Sequence, residues 1–154
     1  ITICTAHRST TVIFLDTSYL AALAMPSDAL HEIALKWSRA LSGPFLTTEF
    51  IVLEFVNMFS ASPRRGRGHA VVESIQNNRL IEIVPASPDW MRRGLALHRD
   101  RLDQAWSLTD CISFEVMRDA QSREALTHDR HFEQAGFRAL LRHIPGEPEK
   151  VRKN

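Results

Sequence analysis

Short apolar runs separated by helix-like segments constrain the fold of this chain more than any other feature. Such runs at residues 12–15, 45–47, 80–84, 125–127 and 139–144 predict buried strands. Between them, apolar residues recur with helical spacing, and Pro or Gly residues interrupt the pattern. Strands that alternate with helices favour an α/β sandwich built around a central, mainly parallel sheet.

The same pattern sets the predicted helices. We expect them at residues 19–25, 28–41, 48–59, 69–78, 88–102, 107–120 and 130–135. The helix at 48–59 is almost continuously apolar, so it is expected to be buried on most sides. Residues 63–68 are basic and rich in glycine, which predicts a loop.

Length, charge and cysteine content narrow the class of protein. The 154 residues fit one domain with a sizeable core, and the net charge of +1 excludes a strong overall attraction to nucleic acid. The two cysteines, Cys4 and Cys111, form no CxxC motif, which fits a reducing cytoplasm better than a disulfide scaffold or a zinc site. No stretch reaches the roughly 18 apolar residues of a membrane span.

We divide the chain into an N-terminal extension at 1–10, a domain at 11–146 and a basic tail at 147–154.

Four acidic residues lie at the ends of apolar runs or inside them. Asp16 closes the first predicted strand, Glu54 interrupts the apolar helix, Asp110 opens a helix and Asp129 follows a strand. Carboxylates are rarely buried unless they are paired or bound to metal. Sites in parallel sheets form beyond the carboxyl ends of the strands. We therefore expect one acidic pocket that binds hard divalent cations, which then act on phosphate groups.

Each carboxylate also has a structural interpretation. Asp16 and Asp129 could be helix N-caps, and Asp110 could complete a capping box with Ser107. Capping cannot explain Glu54 in the middle of a helix, so its alternative is a buried ion pair with an arginine.

Other polar residues are weaker candidates. Asp103 is expected to bond to its loop or to Ser107, or to support a metal ligand indirectly. The basic residues fall into two groups that either contact phosphates or are simply solvated: Arg64, Arg65, Arg67 and His69 in the 63–69 segment, and His128, Arg130 and His131 around Asp129. The three tryptophans are expected to pack in the structure: Trp37, Trp90 and Trp106.

Four motifs carry a resemblance to a known family. Residues 12–20 read VIFLDTSYL, 46–57 LTTEFIVLEFVN, 106–114 WSLTDCISF and 125–132 ALTHDRHF. In this order and spacing they resemble a PIN domain of the kind found in VapC-type toxins and related bacterial ribonucleases. The resemblance covers about residues 11–145, and the extension before Thr11 departs from the family pattern.

The resemblance implies a three-layer α/β/α sandwich and a metal-dependent endoribonuclease that cleaves RNA phosphodiester bonds through metal-activated water. One or two Mg²⁺ or Mn²⁺ ions would be held by the acidic quartet Asp16, Glu54, Asp110 and Asp129. Ser107, Thr109 and Thr127 match polar positions often found beside such a quartet. An antitoxin partner and a homodimer are also implied. Light scattering at micromolar concentration tests the homodimer, and a monomer mass would count against it.

Two other classes stay open. A phosphoacceptor domain of the receiver type also places acids at strand ends. It needs an aspartate at the end of its central strand and a later lysine. Here the third predicted strand ends in Pro85-Ala86-Ser87, and no lysine lies between Lys36 and Lys150, which speaks against it. A catalytically silent PIN-type module for RNA binding or dimerisation is the second alternative.

Overall fold

Five short strands form one sheet in which every neighbouring pair is parallel. The computed structural model describes residues 11–147; the predicted extension at 1–10 and nearly all of the predicted tail at 147–154 lie outside the described residues. The strands are β1 (Ile13–Leu15), β2 (Phe45–Thr48), β3 (Ile81–Val84), β4 (Glu124–Leu126) and β5 (Arg138–Ala139). Their order is β3-β2-β1-β4-β5, so β1 is the central strand.

Helices cover the sheet, and within residues 11–147 there are seven α-helices. They are α1 (Thr17–Ala24), α2 (His31–Ala40), α3 (Glu49–Met58), α4 (Arg65–Asn77), α5 (Pro88–Asp100), α6 (Leu108–Asp119) and α7 (Arg130–Gln134). A short 3-10 helix follows β5 at Leu140–Arg142. The predicted three-layer α/β/α sandwich with a parallel central sheet is confirmed. Within the described range, no helix has both the length and the apolar character that crossing a bilayer requires.

The strand order places a crevice between β1 and β4. The chain first adds β2 and β3 on one side of β1 and then crosses back to add β4 on the other side. Leu15 pairs with Leu126, so Asp16 and Thr127 are the first residues beyond this pair of strands. In open parallel sheets this reversal of strand order opens the crevice in which ligands bind.

A cluster of aromatic side chains fixes α6 and α7 against the end of β1. The rings of Phe114 on α6 and Phe132 on α7 are fully buried and meet edge to face with centroids 5.0 Å apart. Phe14 of β1 lies 6.2 Å from Phe132, and Trp106 lies 5.0 Å from Phe114. Because such edge-on contacts have a preferred geometry, they orient the two helices as well as bury them.

The prediction of a loop at 63–68 is wrong, because α4 already begins at Arg65. The guanidinium of Arg65 donates to the carbonyl oxygen of Ser60 at 2.6 and 3.1 Å, which holds the first turn. A Cβ on Gly68 would lie 2.9 Å from the Cβ of Phe59. Gly68 therefore serves close packing between α3 and α4, and does not bend a loop.

The predicted last strand at 139–144 is also wrong. Only Arg138 and Ala139 pair with β4, opposite Glu124 and Ala125. The chain then turns into the 3-10 helix, where the Leu141 amide donates to the carbonyl oxygen of Thr127 at 3.1 Å. This turn buries Leu140 and Leu141 and ends the sheet.

Helix α3 is less buried than its composition predicted. Ile51 and Phe55 face the core, but Leu53 is 61% exposed and Met58 is 54% exposed. Long apolar side chains are also exposed on and after α5, at Met91, Leu95 and Leu102. Exposed apolar surface of this kind fits an interface, and the homodimer stays a prediction.

The contact between α5 and α6 at Gly94 yields a stability prediction. A Cβ on Gly94 of α5 would lie 2.3 Å from Cγ1 of Ile112 on α6, so Gly94→Ala forces the two helices apart. We expect a loss of about 1–3 kcal/mol in the free energy of unfolding, measured by urea denaturation.

Gly66→Ala is the matched control, because a Cβ there meets nothing within 4 Å in α4. It should leave stability unchanged or raise it by up to about 1 kcal/mol. Equal effects of the two substitutions would contradict the packing account.

Candidate functional site

A pocket of about 420 Å³ opens beyond the carboxyl ends of β1 and β4. All four predicted acids line it. The lining residues are Asp16, Thr17, Ser18, Glu54, Met58, Ala105, Ser107, Asp110, Asp129 and His131. They come from α1, α3, α6, α7 and the segments before these helices, and none of those described is a lysine or an arginine.

Asp16 is the most deeply buried of the four acids, with 6% of its surface exposed. Its Oδ2 accepts hydrogen bonds from the hydroxyls of Thr127 at 2.7 Å and Ser18 at 3.0 Å. Asp16 is the N-cap residue of α1 by position, as predicted, but its side chain makes no capping bond, so capping does not account for the carboxylate. Burial raises the pKa of Asp16 to about 6, against the effect of these hydrogen bonds, and the charge of Asp110 raises it further.

Thr127 ties the two central strands together at the pocket. Its hydroxyl donates to Asp16 and accepts from the Asp129 amide at 3.0 Å. Ser18 makes a parallel link, since its hydroxyl donates to Asp16 and accepts from the His128 amide at 3.3 Å. The position of Asp129 relative to Asp16 is therefore set by two hydroxyl groups.

Asp110 and Asp129 also make the capping bonds that their sequence context predicted. Asp110 Oδ2 accepts from the Ser107 amide at 2.9 Å, and the Ser107 hydroxyl accepts from the Asp110 amide at 3.0 Å. Asp129 Oδ1 accepts from the His131 amide at 2.9 Å. These bonds orient both carboxylates without covering them, because each still lines the pocket.

Asp110, Asp129 and His131 form a group in the pocket that could hold a metal ion. One ligand atom from each lies within 4.8 Å of the others. The Nδ1 atom of His131 is 2.9 Å from Asp110 Oδ2 and 3.5 Å from Asp129 Oδ1. Asp16 and Glu54 lie in the same pocket but outside this group.

Glu54 has no cationic partner among residues 11–147. Its Oε2 instead accepts a hydrogen bond from the Thr17 hydroxyl, which joins α3 to the start of α1. The alternative of a buried Glu54–arginine pair is therefore wrong for the described chain.

The remaining candidates lie outside the pocket. Asp103 is 61% exposed, and Arg101 donates to both of its oxygens at 2.8 Å; this hydrogen bonding lowers the pKa of Asp103 to about 2. Of its two expected partners, Asp103 bonds to its own loop, through Arg101 and Gln104, and not to Ser107. Thr109 does not line the pocket, whereas Trp106 packs as predicted and donates from Nε1 to Gln134 at 3.1 Å.

His131 lines the pocket, whereas the sequence predicts only a phosphate contact or a surface residue at this position. The available signal was its position two residues after a helix N-cap aspartate, because the first turn of α7 folds it back beside Asp129. Thr17 and Ser18 are not among the predicted site residues, but both bond to pocket carboxylates.

The donor set fits a hard divalent cation. Carboxylates and hydroxyls make up most of the polar side-chain groups that line the pocket, and such oxygens are the ligands that Mg²⁺ and Mn²⁺ prefer. The Asp16 carboxylate is buried with hydroxyl partners but no countercharge from a lysine or arginine among the described lining residues. A cation in the pocket would supply that charge.

Comparisons with known proteins agree with this architecture. A family model described as PIN domain matches residues 13–138. The structure of VapC20 from Mycobacterium tuberculosis, described as a sarcin-ricin loop cleaving toxin, is similar with a TM-score of 0.75 at 23% identity, covering 81% of this chain and 95% of that one. A search of curated proteins found no match.

Two further solved structures share the fold at lower similarity. VapBC2 from Rickettsia felis, solved bound to a promoter DNA fragment, has a TM-score of 0.60 at 11% identity and covers 83% of this chain and 96% of that one. FitAcB from Neisseria gonorrhoeae has a TM-score of 0.58 at 16% identity, with coverages of 82% and 94%.

The raised pKa of Asp16 predicts how stability depends on pH without metal. Between pH 3.8 and about 6 the unfolded chain has released the Asp16 proton, whereas the folded chain still keeps it. The folded state is therefore most stable at low pH, and it loses this stabilisation as the pH rises through about 6. Without metal, the free energy of unfolding of Asp16→Asn should therefore be up to about 3 kcal/mol higher than that of wild type above pH 7. The difference should disappear below about pH 4. Urea denaturation in chelator across this pH range checks it, and parallel pH profiles for both proteins would contradict it.

Because Glu54 has no cationic partner, replacing its carboxylate with a neutral amide should change the stability of the fold very little. Metal-free Glu54→Gln should change the free energy of unfolding by no more than about 1 kcal/mol, the scale of one hydrogen bond. Breaking a buried ion pair would instead cost about 3–5 kcal/mol.

Glu115→Gln is the control for this comparison. Arg93 donates to Glu115 Oε2 at 3.2 and 3.3 Å, and both side chains are mostly covered. We expect Glu115→Gln to lower the melting temperature more than Glu54→Gln. The reverse order would show that Glu54 has an electrostatic partner that supports the fold.

Proposed function

Because this chain belongs to the PIN domain family, we propose that it is a metal-dependent endoribonuclease that hydrolyses RNA phosphodiester bonds. One observation carries the proposal: four carboxylates from four separate parts of the chain line a single pocket, and no lysine or arginine is among its described lining residues. A core built only for stability would not gather like charges in this way, since their repulsion disfavours the folded state.

The proposed roles follow from position in the pocket. Asp110 and Asp129 would hold a divalent cation, Mg²⁺ or Mn²⁺, and Asp16 and Glu54, which line the same pocket, would add their negative charge. The hydroxyls of Thr127 and Ser18 would keep Asp16 oriented. A bound cation of this kind lowers the pKa of a coordinated water and neutralises charge that develops on the phosphate.

Basic residues beside the pocket support a nucleic-acid substrate. Arg130 and Arg142 line an adjoining depression of about 390 Å³, where Arg142 pairs with Glu133 at 3.2 Å. We propose that the sugar-phosphate backbone of RNA crosses this basic edge on its way to the acidic pocket, because phosphate contacts position a strand without reading its bases. Arg64 lines a second depression that shares Met58 with the acidic pocket, so Arg64 lies near that pocket. Its contact with RNA stays a prediction.

A toxin role is the finer part of the proposal. Of the similar structures, one is described as a sarcin-ricin loop cleaving toxin and another as VapBC2, which favours a ribonuclease whose activity a partner antitoxin holds in check. The cytoplasmic location that the cysteine content predicted would suit such a role.

A nuclease assay tests the proposal directly. Cleavage of a structured RNA by the purified protein should require Mg²⁺ or Mn²⁺ and stop on chelation. Asp110→Asn should lower the cleavage rate by about a hundredfold or more, because even residues that only orient a metal ligand contribute about 10- to 100-fold. Asp89→Asn is the matched control, because Asp89 is 61% exposed on α5 and pairs with Arg92 outside the pocket.

Cleavage that persists undiminished in chelator, or that Asp110→Asn leaves intact, would contradict the proposal. The same two variants test the toxin role in living bacteria. Expression of the wild type and of Asp89→Asn should arrest growth, whereas Asp110→Asn should not. Growth arrest that is equal for all three proteins would show that toxicity does not come from the pocket.

A further inference from the structure

We infer that the imidazole of His131 supplies a nitrogen ligand to the divalent cation, beside Asp110 and Asp129. This inference rests on the proposed function, because it concerns the same pocket. It adds an imidazole nitrogen to the four carboxylates of the pocket. A nitrogen ligand also changes which metal ions the pocket prefers.

The distances around His131 match those between neighbouring ligands of one cation. Ligand atoms about 2.1–2.2 Å from an octahedral ion lie about 3 Å apart when they occupy adjacent positions. Nδ1 of His131 is 2.9 Å from Asp110 Oδ2 and 3.5 Å from Asp129 Oδ1. A cation could therefore replace the hydrogen that His131 and Asp110 now share, with only small movements of the three side chains.

The backbone holds His131 in this place. Its amide donates to Asp129 Oδ1 at 2.9 Å, so imidazole and carboxylate leave the same turn. The next residue, Phe132, is fully buried against Phe114 of α6, the helix that also carries Asp110. The three donors are thus anchored to two helices that pack directly against each other.

His131 is also open to an incoming ion. Its side chain is 29% exposed, compared with 13% for Asp110 and 40% for Asp129. A histidine that served packing would bury its ring, and one that served only as a surface residue would not lie between two carboxylates. The competing role is that Nδ1–H orients Asp110 by a hydrogen bond and never contacts the cation.

A nitrogen ligand changes the metal preference of the pocket. Sites made of oxygen atoms alone suit Mg²⁺, whereas imidazole favours transition-metal ions, whose affinities rise from Mn²⁺ toward Co²⁺ and Ni²⁺. We expect the wild type to bind Co²⁺ more tightly than Mn²⁺ and Mn²⁺ more tightly than Mg²⁺. Removal of the imidazole should reduce these differences.

Electron spin-echo spectroscopy of the Mn²⁺-loaded protein tests the inference without a cleavage assay. The spectrum should contain the nitrogen modulation of a directly bound imidazole, and replacing natural histidine with ¹⁵N-histidine should change it. His131→Ala should abolish this modulation and lower the Mn²⁺ affinity by at least about tenfold, with a smaller factor for Mg²⁺. His128→Ala is the control, since His128 is exposed and does not line the pocket; it should keep both the modulation and the affinity.

The outcomes separate this inference from the proposed function. Mn²⁺ bound in the pocket without nitrogen modulation would overturn the inference and leave the nuclease proposal standing, with His131 only orienting Asp110. Modulation that survives in His131→Ala would overturn it equally. A wild type that binds no Mn²⁺ at millimolar concentration would overturn both.

Discussion

Asp16 places a carboxylate at the carboxyl end of the central strand, where it is 6% exposed and has no lysine or arginine within ion-pair distance among residues 11–147. Burying such a charge is costly unless hydrogen bonds or a cation compensate it. Thr127 and Ser18 supply the hydrogen bonds, and the raised pKa of Asp16 shows that they do not compensate fully. The other three carboxylates line the same pocket, so the uncompensated negative charge is concentrated there, and a divalent cation is the countercharge that we propose for it.

The aromatic core explains how so many like charges can be held together. Phe114 and Phe132 pack edge to face directly beneath the turns that carry Asp110 and Asp129, and Phe14 joins them to β1. Burial of these rings contributes several kcal/mol, more than each capping bond above them. The capping hydrogen bonds at Ser107 and Asp129 then orient the carboxylates. The buried aromatic rings therefore provide the stability, and the capping bonds provide the orientation. Neither contribution requires the acids themselves to stabilise the fold.

The fold class and the convergence of the four acids could be predicted because both depend on local patterns. Apolar strands and capped helices are visible in the sequence, and parallel strands bring their carboxyl ends to one edge. The start of α4 was missed because Gly66 and Gly68 resemble a loop, whereas Gly68 is required for contact with Phe59. The exposure of Leu53 and the end of the sheet after Ala139 depend on which surfaces meet, which a single sequence does not encode locally. The sequence places His131 beside Asp129 but does not show its contact with Asp110, because those two residues are distant in sequence.

The central claim is that the acidic pocket holds a divalent cation, and the location of the ion tests it most directly. Crystals grown with Mn²⁺ should give an anomalous difference peak inside the pocket bounded by Asp16, Asp110 and Asp129. A peak there would confirm that the charge left uncompensated at Asp16 is met by metal. Crystals at saturating Mn²⁺ that show no peak in the pocket, or show one only at acids elsewhere on the surface, would contradict the account.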